Sequence, residues 1–383
     1  MKKIPGAKPY FFNEEKSIAN KIKRLLHSGN LSQGKYIEEL EKKCSKFFNS
    51  KFAIAVNSGG TAIEICLEAL DIKDKEVLVP TQTFIATANS VVRAGGIPVF
   101  CDIDPETGCI DIEDVKNKIN KKTAGVIFVY MFGIIPKSVI DLKKLCKKKK
   151  IFLLEDAAHA HGGSFGKNIV GNIGDAACFS FYATKVLTSG EGGVITTCNK
   201  KIKDKCASIM NHGRNLHNPY FNYSGNNFRL TEIQAIIALS QLKYLRKIIK
   251  HRNKIADIYS KNLKNIYYFK QFTINKNSIN TFWRYPLYIS SQISRNKLKE
   301  MCEKKYGFRV TWMYEPLCHK QPVFKLKSKI KLSKAEKTIK RLINLPTHLF
   351  VKPTDAIRIC KNLNEGCKNL YAKKRSIKSF SFR

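Results

Sequence analysis

Negative charge is what this chain lacks most. Against 69 Lys and Arg it carries only 30 Asp and Glu, a formal net charge of +39 over 383 residues. Such a field attracts polyanions, so nucleic acid, anionic membrane surfaces and phosphorylated small molecules all stay open as partners. The lysines are spread among Ile and Asn, as at Lys42–Lys43, Lys147–Lys150 and Lys325–Lys331, and form no ordered stripe with interleaved aromatics. That is the pattern of a lysine-favouring composition, and no specific nucleic-acid interface is expected. Long apolar runs are missing too: Val126–Pro136 falls well short of the roughly 18 residues of a membrane span. Met1–Phe12 opens basic, without the apolar stretch of a secretory signal. The expectation is a soluble, cytoplasmic protein with no membrane span. There are 12 cysteines but no C-x-x-C pair, which argues against a zinc site and for reduced thiols, so no metal is expected. A phosphate-binding P-loop is absent as well, because Gly162–Lys167 has the wrong spacing and Asn168 follows where Ser or Thr is required. Hydrophobic (43%) and aromatic (10%) contents are ordinary, which excludes a disordered or collagen-like chain.

What is present reads as an α/β protein. Short apolar runs, Phe52–Val56, Val77–Val79, Val99–Asp102, Val126–Tyr130, Ile151–Glu155, Ala177–Phe181 and Val194–Thr197, predict strands. Between them Thr61–Leu70, Ala86–Ala94, Ile112–Ile119 and Ser138–Lys147 have helical patterns. This alternation predicts a doubly wound domain around a mostly parallel sheet. A long loop, His212–Phe228, precedes a helical stretch, Thr231–Leu263, whose Leu239, Leu242, Leu245 and Ile249 predict one long surface helix leaving the first domain. The boundary is placed near Lys247–Arg252, giving units 1–248 and 249–383. In the second, Phe282–Ile289 reads as a strand and Arg295–Lys305 and Ala335–Leu342 as helices, a smaller α+β domain.

Three segments carry chemistry. The strand Phe52–Val56 runs through Asn57-Ser58-Gly59-Gly60-Thr61 straight into a helix. Glycines admit a phosphate to the backbone, the helix start offers unpaired N–H groups, and Thr61 adds a hydroxyl; a simple N-cap explains the same residues. Next, Leu153–His159 delivers Asp156 at the carboxyl end of a strand, where ligands of open α/β sheets bind. Finally, Ser180-Phe181-Tyr182-Ala183-Thr184-Lys185 leads into the turn Thr188–Gly193, and Lys185 is the only lysine between Lys167 and Lys200. A half-buried lysine has a lowered pKa and becomes a nucleophile toward carbonyls. A carboxylate, a lysine and a phosphate cradle are together what pyridoxal phosphate requires.

At these residues the chain resembles the DegT/StrS-type sugar aminotransferases, a branch of the aspartate-aminotransferase fold that depends on pyridoxal 5′-phosphate. The resemblance runs through Ser28–Gly34, the Ser-Gly-Thr-like cradle, Val79–Phe84, Glu155–His159, Phe179–Phe181 with Lys185, Glu191–Gly193 and Asn227–Arg229. It implies a large domain with a seven-stranded sheet and a smaller C-terminal α+β domain. It also implies that Lys185 holds the cofactor aldehyde and moves the proton, and that Asp156 partners the pyridine nitrogen. By the same resemblance His159, where many relatives carry Gln, bonds the phenolic oxygen, and Phe84 stacks on the ring. Gly60, Thr61 and Ser180 match phosphate contacts, and Asn227 matches a contact reaching the neighbouring subunit's phosphate, hence a homodimer with shared sites. His319, in Tyr314–His319, and Arg229 are candidate substrate neighbours; for His319 a structural loop role stands beside that. Gly59 departs from the tighter Ser-Gly-Thr of some relatives. The implied reaction passes an amino group from glutamate to a nucleotide-linked keto-sugar, for surface glycans. Relatives that have lost the lysine are sugar dehydratases, and Lys185 argues against that branch. A cyclitol or other non-nucleotide ketone as acceptor, and a non-catalytic polyanion binder on the same fold, are the alternatives.

Overall fold

A computed structural model describes residues 3–215, 218–324 and 330–380, without the side chains of 373–380. Residues 325–329 of the Lys325–Lys331 tract lie outside the described residues. In chain order the strands are β1 (Phe52–Val56), β2 (Glu76–Pro80), β3 (Ile97–Cys101), β4 (Thr123–Val129), β5 (Phe152–Asp156), the two-residue β6 (Ser164–Phe165) and β7 (Asn168–Ile169), β8 (Ala176–Ser180), β9 (Gly193–Thr197), β10 (Phe269–Gln271), β11 (Ser278–Ile279), β12 (Tyr285–Ile289) and β13 (Leu342–Leu345). The helices are α1 (Glu15–Ser28), α2 (Lys35–Phe47), α3 (Gly59–Ala69), α4 (Ile85–Arg93), α5 (Ile112–Lys118), α6 (Ser138–Lys149), α7 (Lys200–Met210), α8 (Glu232–Lys243), α9 (Leu245–Leu263), α10 (Arg295–Lys304), α11 (Ser333–Ile339) and α12 (Pro353–Phe380).

The central strands are near-continuous apolar runs such as Val126–Val129 and Leu153–Leu154, buried throughout, as strands covered on both faces must be. They form a seven-stranded sheet of order β1-β9-β8-β5-β4-β2-β3. The pairs β2–β3, β2–β4, β4–β5 and β5–β8 are parallel, and β9 alone runs against its neighbours β8 and β1. The other six strands therefore end on one edge of the sheet, and the segments after β1, β2, β5 and β8 meet there. Helix α3 packs on α4 and α7, and α2 on α8.

The helix expected over Thr231–Leu263 is two helices. Tyr244 leaves the helical region between them (φ −105°, ψ 4°). The N-terminal segment holds it there: its hydroxyl donates to Glu14 at 2.6 Å and its ring stacks on Phe12 at 4.2 Å. Nor is α9 a surface helix, for it buries Leu245, Ile248, Ile249, Arg252, Ile255, Ala256, Tyr259 and Leu263. Its first turns belong to the core of the seven-stranded sheet, and from Ile255 on its side chains belong to a second core with β12, β13, α10 and α12. The strand expected from Phe282 begins only at Tyr285, because Phe282 sits at φ 41° and the carbonyls of Phe282 and Trp283 turn to the Arg252 guanidinium. Leu342, expected to close a helix, opens β13 instead. Among the described residues no helix is long and apolar enough to cross a membrane.

Candidate active site

Asp156 ends β5 and is 5% exposed. The Thr87 hydroxyl donates to its Oδ2 at 2.8 Å and the Ala158 N–H to its Oδ1 at 3.2 Å; Thr87 in turn lies 2.8 Å from the Thr83 hydroxyl, one helical turn back at the start of α4. Burial pushes the Asp156 carboxyl above its ordinary value, while Thr87, Ala158 and the Lys185 ammonium pull it back. A cationic ring nitrogen against it would favour its charged form. Glu155, the preceding residue, points away to the other face. It is fully buried and receives the Tyr130 hydroxyl and the N–H groups of Gly171, Ile173 and Gly174, which makes it a structural tie.

Lys185 lies on the loop after β8. Its N–H donates to the Tyr182 carbonyl at 2.9 Å, and the Trp283 indole N–H donates to the Thr184 carbonyl at 2.6 Å, so the loop is pinned on both sides of the reactive position. The Lys185 Nζ lies 4.7 Å from the Trp283 ring centroid. Burial first, and then the Arg284 charge, push its pKa down to about 8 against the pull of Asp156. The other side of the pocket is built on that same indole. His159, 4% exposed, stacks on Trp283 at 3.9 Å and 9°, and its Nε2 lies 3.0 Å from the Tyr314 hydroxyl. Its Nδ1 is buried with no partner among the described residues. Burial and the charges of Lys185 and Arg284 hold this imidazole neutral, well below its ordinary pKa. Tyr314 sits at φ 66°, a left-handed conformation uncommon outside glycine. Phe84, the N-cap of α4 and 58% exposed, has its ring 6.2 Å from that of Tyr314.

The cradle begins where Ser58 caps α3, accepting the Thr61 N–H at 3.1 Å. The Thr61 hydroxyl is engaged within this cap: it lies 2.7 Å from Asn57 Oδ1 and 2.9 Å from the Ser58 carbonyl, and receives the Ser58 N–H at 3.2 Å. Gly59 and Gly60 form the first turn of α3, and the Ser180 hydroxyl at the end of β8 receives the Tyr182 N–H at 3.4 Å. Gly59 has a physical reason: a Cβ there would stand 2.5 Å from the Ser180 Cβ, so only glycine brings the helix start this close to β8.

Three candidate residues stand apart from this cluster. The Asn227 carbonyl receives the Asn57 side-chain N–H at 3.4 Å and its Oδ1 the Arg229 N–H, leaving the side chain at the exposed rim of its own cradle. Arg229 is fixed by Asn211 Oδ1 at 2.7 Å. His319 is 8% exposed, with Nδ1 on Thr81 Oγ1 at 2.5 Å and Nε2 on Glu336 at 3.0 Å. Both its nitrogens are engaged in tying the segment after β2 to α11, the structural alternative. Sequence reasoning singled out none of Thr87, Trp283 and Arg284. Thr83 and Thr87 at helical spacing behind Phe84, and Trp283 as one of two tryptophans, were the available signals.

A desolvated lysine, a buried carboxylate within its field and a glycine cradle on one edge of this α/β sheet define an enzyme of the aminotransferase class. The chain belongs to the DegT/DnrJ/EryC1/StrS aminotransferase family, whose model matches residues 13–364; the family implies pyridoxal phosphate as cofactor. The chain is 32% identical over 375 residues to GDP-perosamine synthase of Escherichia coli O157:H7, covering 95% of this chain and 99% of that protein. It is 36% identical over 287 residues to GDP-perosamine synthase of Vibrio cholerae, covering 74% and 76%. Among solved structures, PseC of Helicobacter pylori, an aminotransferase involved in the biosynthesis of pseudoaminic acid, superposes with a TM-score of 0.87 at 26% identity over 97% of this chain and 100% of that one. DesI, solved with its TDP-sugar product, shares the fold at TM-score 0.89 and 23% identity, covering 98% and 96%.

Proposed function

We propose that this aminotransferase uses pyridoxal 5′-phosphate to move an amino group from glutamate to a nucleotide-linked keto-sugar, supplying an amino-sugar for surface glycans in the cytoplasm. The observation that carries the reading is the Lys185 amine, lowered to about 8 and set in the field of the buried Asp156. The names of the relatives support the acceptor class.

The residues present fit the cofactor. An orphaned Nδ1 on His159, a buried carboxyl at Asp156 and a glycine turn that opens α3 suit the phenolic oxygen, ring nitrogen and phosphate of one pyridine aldehyde phosphate. When bound, it supplies an aldehyde that takes up amines and a ring that draws off the electrons of a breaking C–H bond. The chain's own groups do the rest. Lys185 Nζ would hold the cofactor at its aldehyde carbon and would move the proton at the donor's α-carbon. Asp156 keeps the ring nitrogen protonated, with Thr87 fixing the carboxyl. His159 donates to the phenolic oxygen from Nδ1, the tautomer set by the Tyr314 hydroxyl at Nε2. Gly59, Gly60 and Ser180 hold the phosphate, with Thr61 shaping the cradle as part of its cap, and Phe84 covers the ring. In this reading residues 1–248 form the cofactor-binding unit and 249–383 the small domain. The protein is a homodimer in which Asn227 reaches the neighbour's phosphate, and Arg229 sits near the substrate entrance.

An absorbance spectrum of the purified protein with added cofactor tests the reading. A yellow band that bleaches on adding glutamate and returns on adding a nucleotide-linked keto-sugar is the expected result. If no band forms, the lysine-centred reading fails.

A further inference from the structure

Lys185 sits in a loop bonded mainly to itself. Among the described residues the hydrogen bonds of 181–190 close inside the loop and its strand ends, with one exception. The Lys185 and Ser189 N–H groups, for instance, reach the Tyr182 and Phe181 carbonyls, each at 2.9 Å. The exception is the Trp283 indole N–H, which donates at 2.6 Å to the Thr184 carbonyl, on the peptide that leads into Lys185. Trp283 is itself fixed. It is 2% exposed, and its own carbonyl receives Nη1 of Arg252 and of Arg284, each at 3.2 Å. Two residues earlier, Thr281 donates its N–H to the Gly133 carbonyl at 2.9 Å and its hydroxyl to the His159 carbonyl. Two residues later β12 begins, paired with β13 in the second core.

The ring of Trp283 meets both groups of the site. His159 lies flat on it at 3.9 Å and 9°, and the Lys185 Nζ stands 4.7 Å from its centroid. An indole kept only to fill a core needs apolar neighbours and any acceptor for its N–H. Here the acceptor is the peptide before the reactive lysine, and the neighbours are an imidazole and an amine whose charged form an aromatic face attracts. We propose, resting on the function above, that Trp283 is a positioning residue for Lys185 and His159 together. Its N–H sets the main chain that carries Lys185, its ring sets the plane of His159, and its place before β12 ties both to the second core.

Trp283→Phe separates the two contacts, because it keeps a ring and removes the N–H. The cofactor-free variant should capture added pyridoxal phosphate about 10- to 100-fold more slowly, the range that roughly 1 Å of misplacement costs a reacting group. Loaded with cofactor, it should lose a similar factor in the rate of bleaching at saturating glutamate. The glutamate concentration for half-maximal bleaching and the KM for the nucleotide sugar should stay within about threefold, as for an interaction that orients without binding. Unchanged capture and bleaching rates overturn the proposal, and so does a loss confined to those two concentrations. Trp283→Leu removes the ring as well and should shift the wavelength of the yellow band, which reports the bond from His159 to the phenolic oxygen; an unshifted band overturns the His159 half. Should neither variant fold, the native indole supplies the test. The other tryptophan, Trp312, packs at 4.4 Å on Arg295 of α10, and Trp312→Phe leaves Trp283 as the sole source of indole fluorescence. That fluorescence should fall in step with the growth of the yellow band, and fluorescence that cofactor capture leaves unchanged overturns the placement. If the unaltered protein forms no yellow band, the function fails; if it transaminates normally and Trp283→Phe matches it, only the role of Trp283 fails.

Discussion

Lys185 gains its reactivity from where it sits. With a pKa near 8 rather than the ordinary 10.5, roughly a tenth of it is neutral at pH 7, against well under a thousandth for an exposed lysine. Cofactor capture by the cofactor-free protein should therefore speed up about tenfold per pH unit below 8 and level off above it. Stopped-flow growth of the yellow band across pH 6–10 checks this; a curve still rising steeply at pH 10 would refute it. The stability sign follows from the same shift. Between about 8 and 10.5 the unfolded chain keeps a proton that the folded chain has released, so cofactor-free protein gains stability as pH rises through that window. At this scale the sequence was informative about Lys185 and Asp156, because a strand end and an isolated lysine are local patterns. The structural use of Glu155 was not legible, because it rests on the Tyr130 hydroxyl and the N–H groups of Gly171, Ile173 and Gly174, all remote or loop contacts. For Thr61 the sequence left cap and cradle both open, because they use the same residue types; the structure adds its contacts with Asn57 and Ser58 within the cap.

The strands of the main sheet were legible as elements because buried parallel strands are uninterrupted apolar runs, and the first βα units because their helices alternate with them. What escaped depends on contacts remote in sequence. The break at Tyr244 is made by Phe12 and Glu14, and the start of α2 is made by Glu232. That carboxylate, 1% exposed in the first turn of α8, accepts the N–H groups of Gly34 at 3.1 Å and of Tyr36 and Ile37 at 2.9 Å. One side chain thus caps α2 while standing on α8, and locks the two helices together over β1. Glu232→Ala strands buried donors and should cost about 2–4 kcal/mol. Glu232→Gln, which keeps one acceptor oxygen, should cost less than half as much. Urea unfolding of both variants measures this, and equal losses would show that packing, not capping, dominates.

For the whole molecule the question is where one active site ends and the next begins. Within one chain the Asn227 backbone leans on Asn57, before the cradle, while its side chain stays at the exposed rim. In the loop before it, Tyr220, Phe221 and Tyr223 are exposed large aromatics, 71%, 64% and 42% accessible. Apolar rings cluster this way at protein interfaces. In the proposed homodimer each Asn227 reaches the partner's cradle, and the shared site becomes a matter of arithmetic. On that proposal Lys185→Ala removes the amine of its own site, and Asn227→Ala removes a phosphate contact from its neighbour's. In a mixed dimer both lesions fall in one site and the other is intact. With each variant expected to be inactive by itself, refolding or co-expressing the two at equal ratio should thus restore about a quarter of the unaltered activity, since half of the dimers are mixed and each has one good site. If instead Asn227 serves its own chain, every site in the mixture carries one lesion and no activity returns. Gel filtration of the mixture, read beside the assay, separates that result from a failure to exchange subunits.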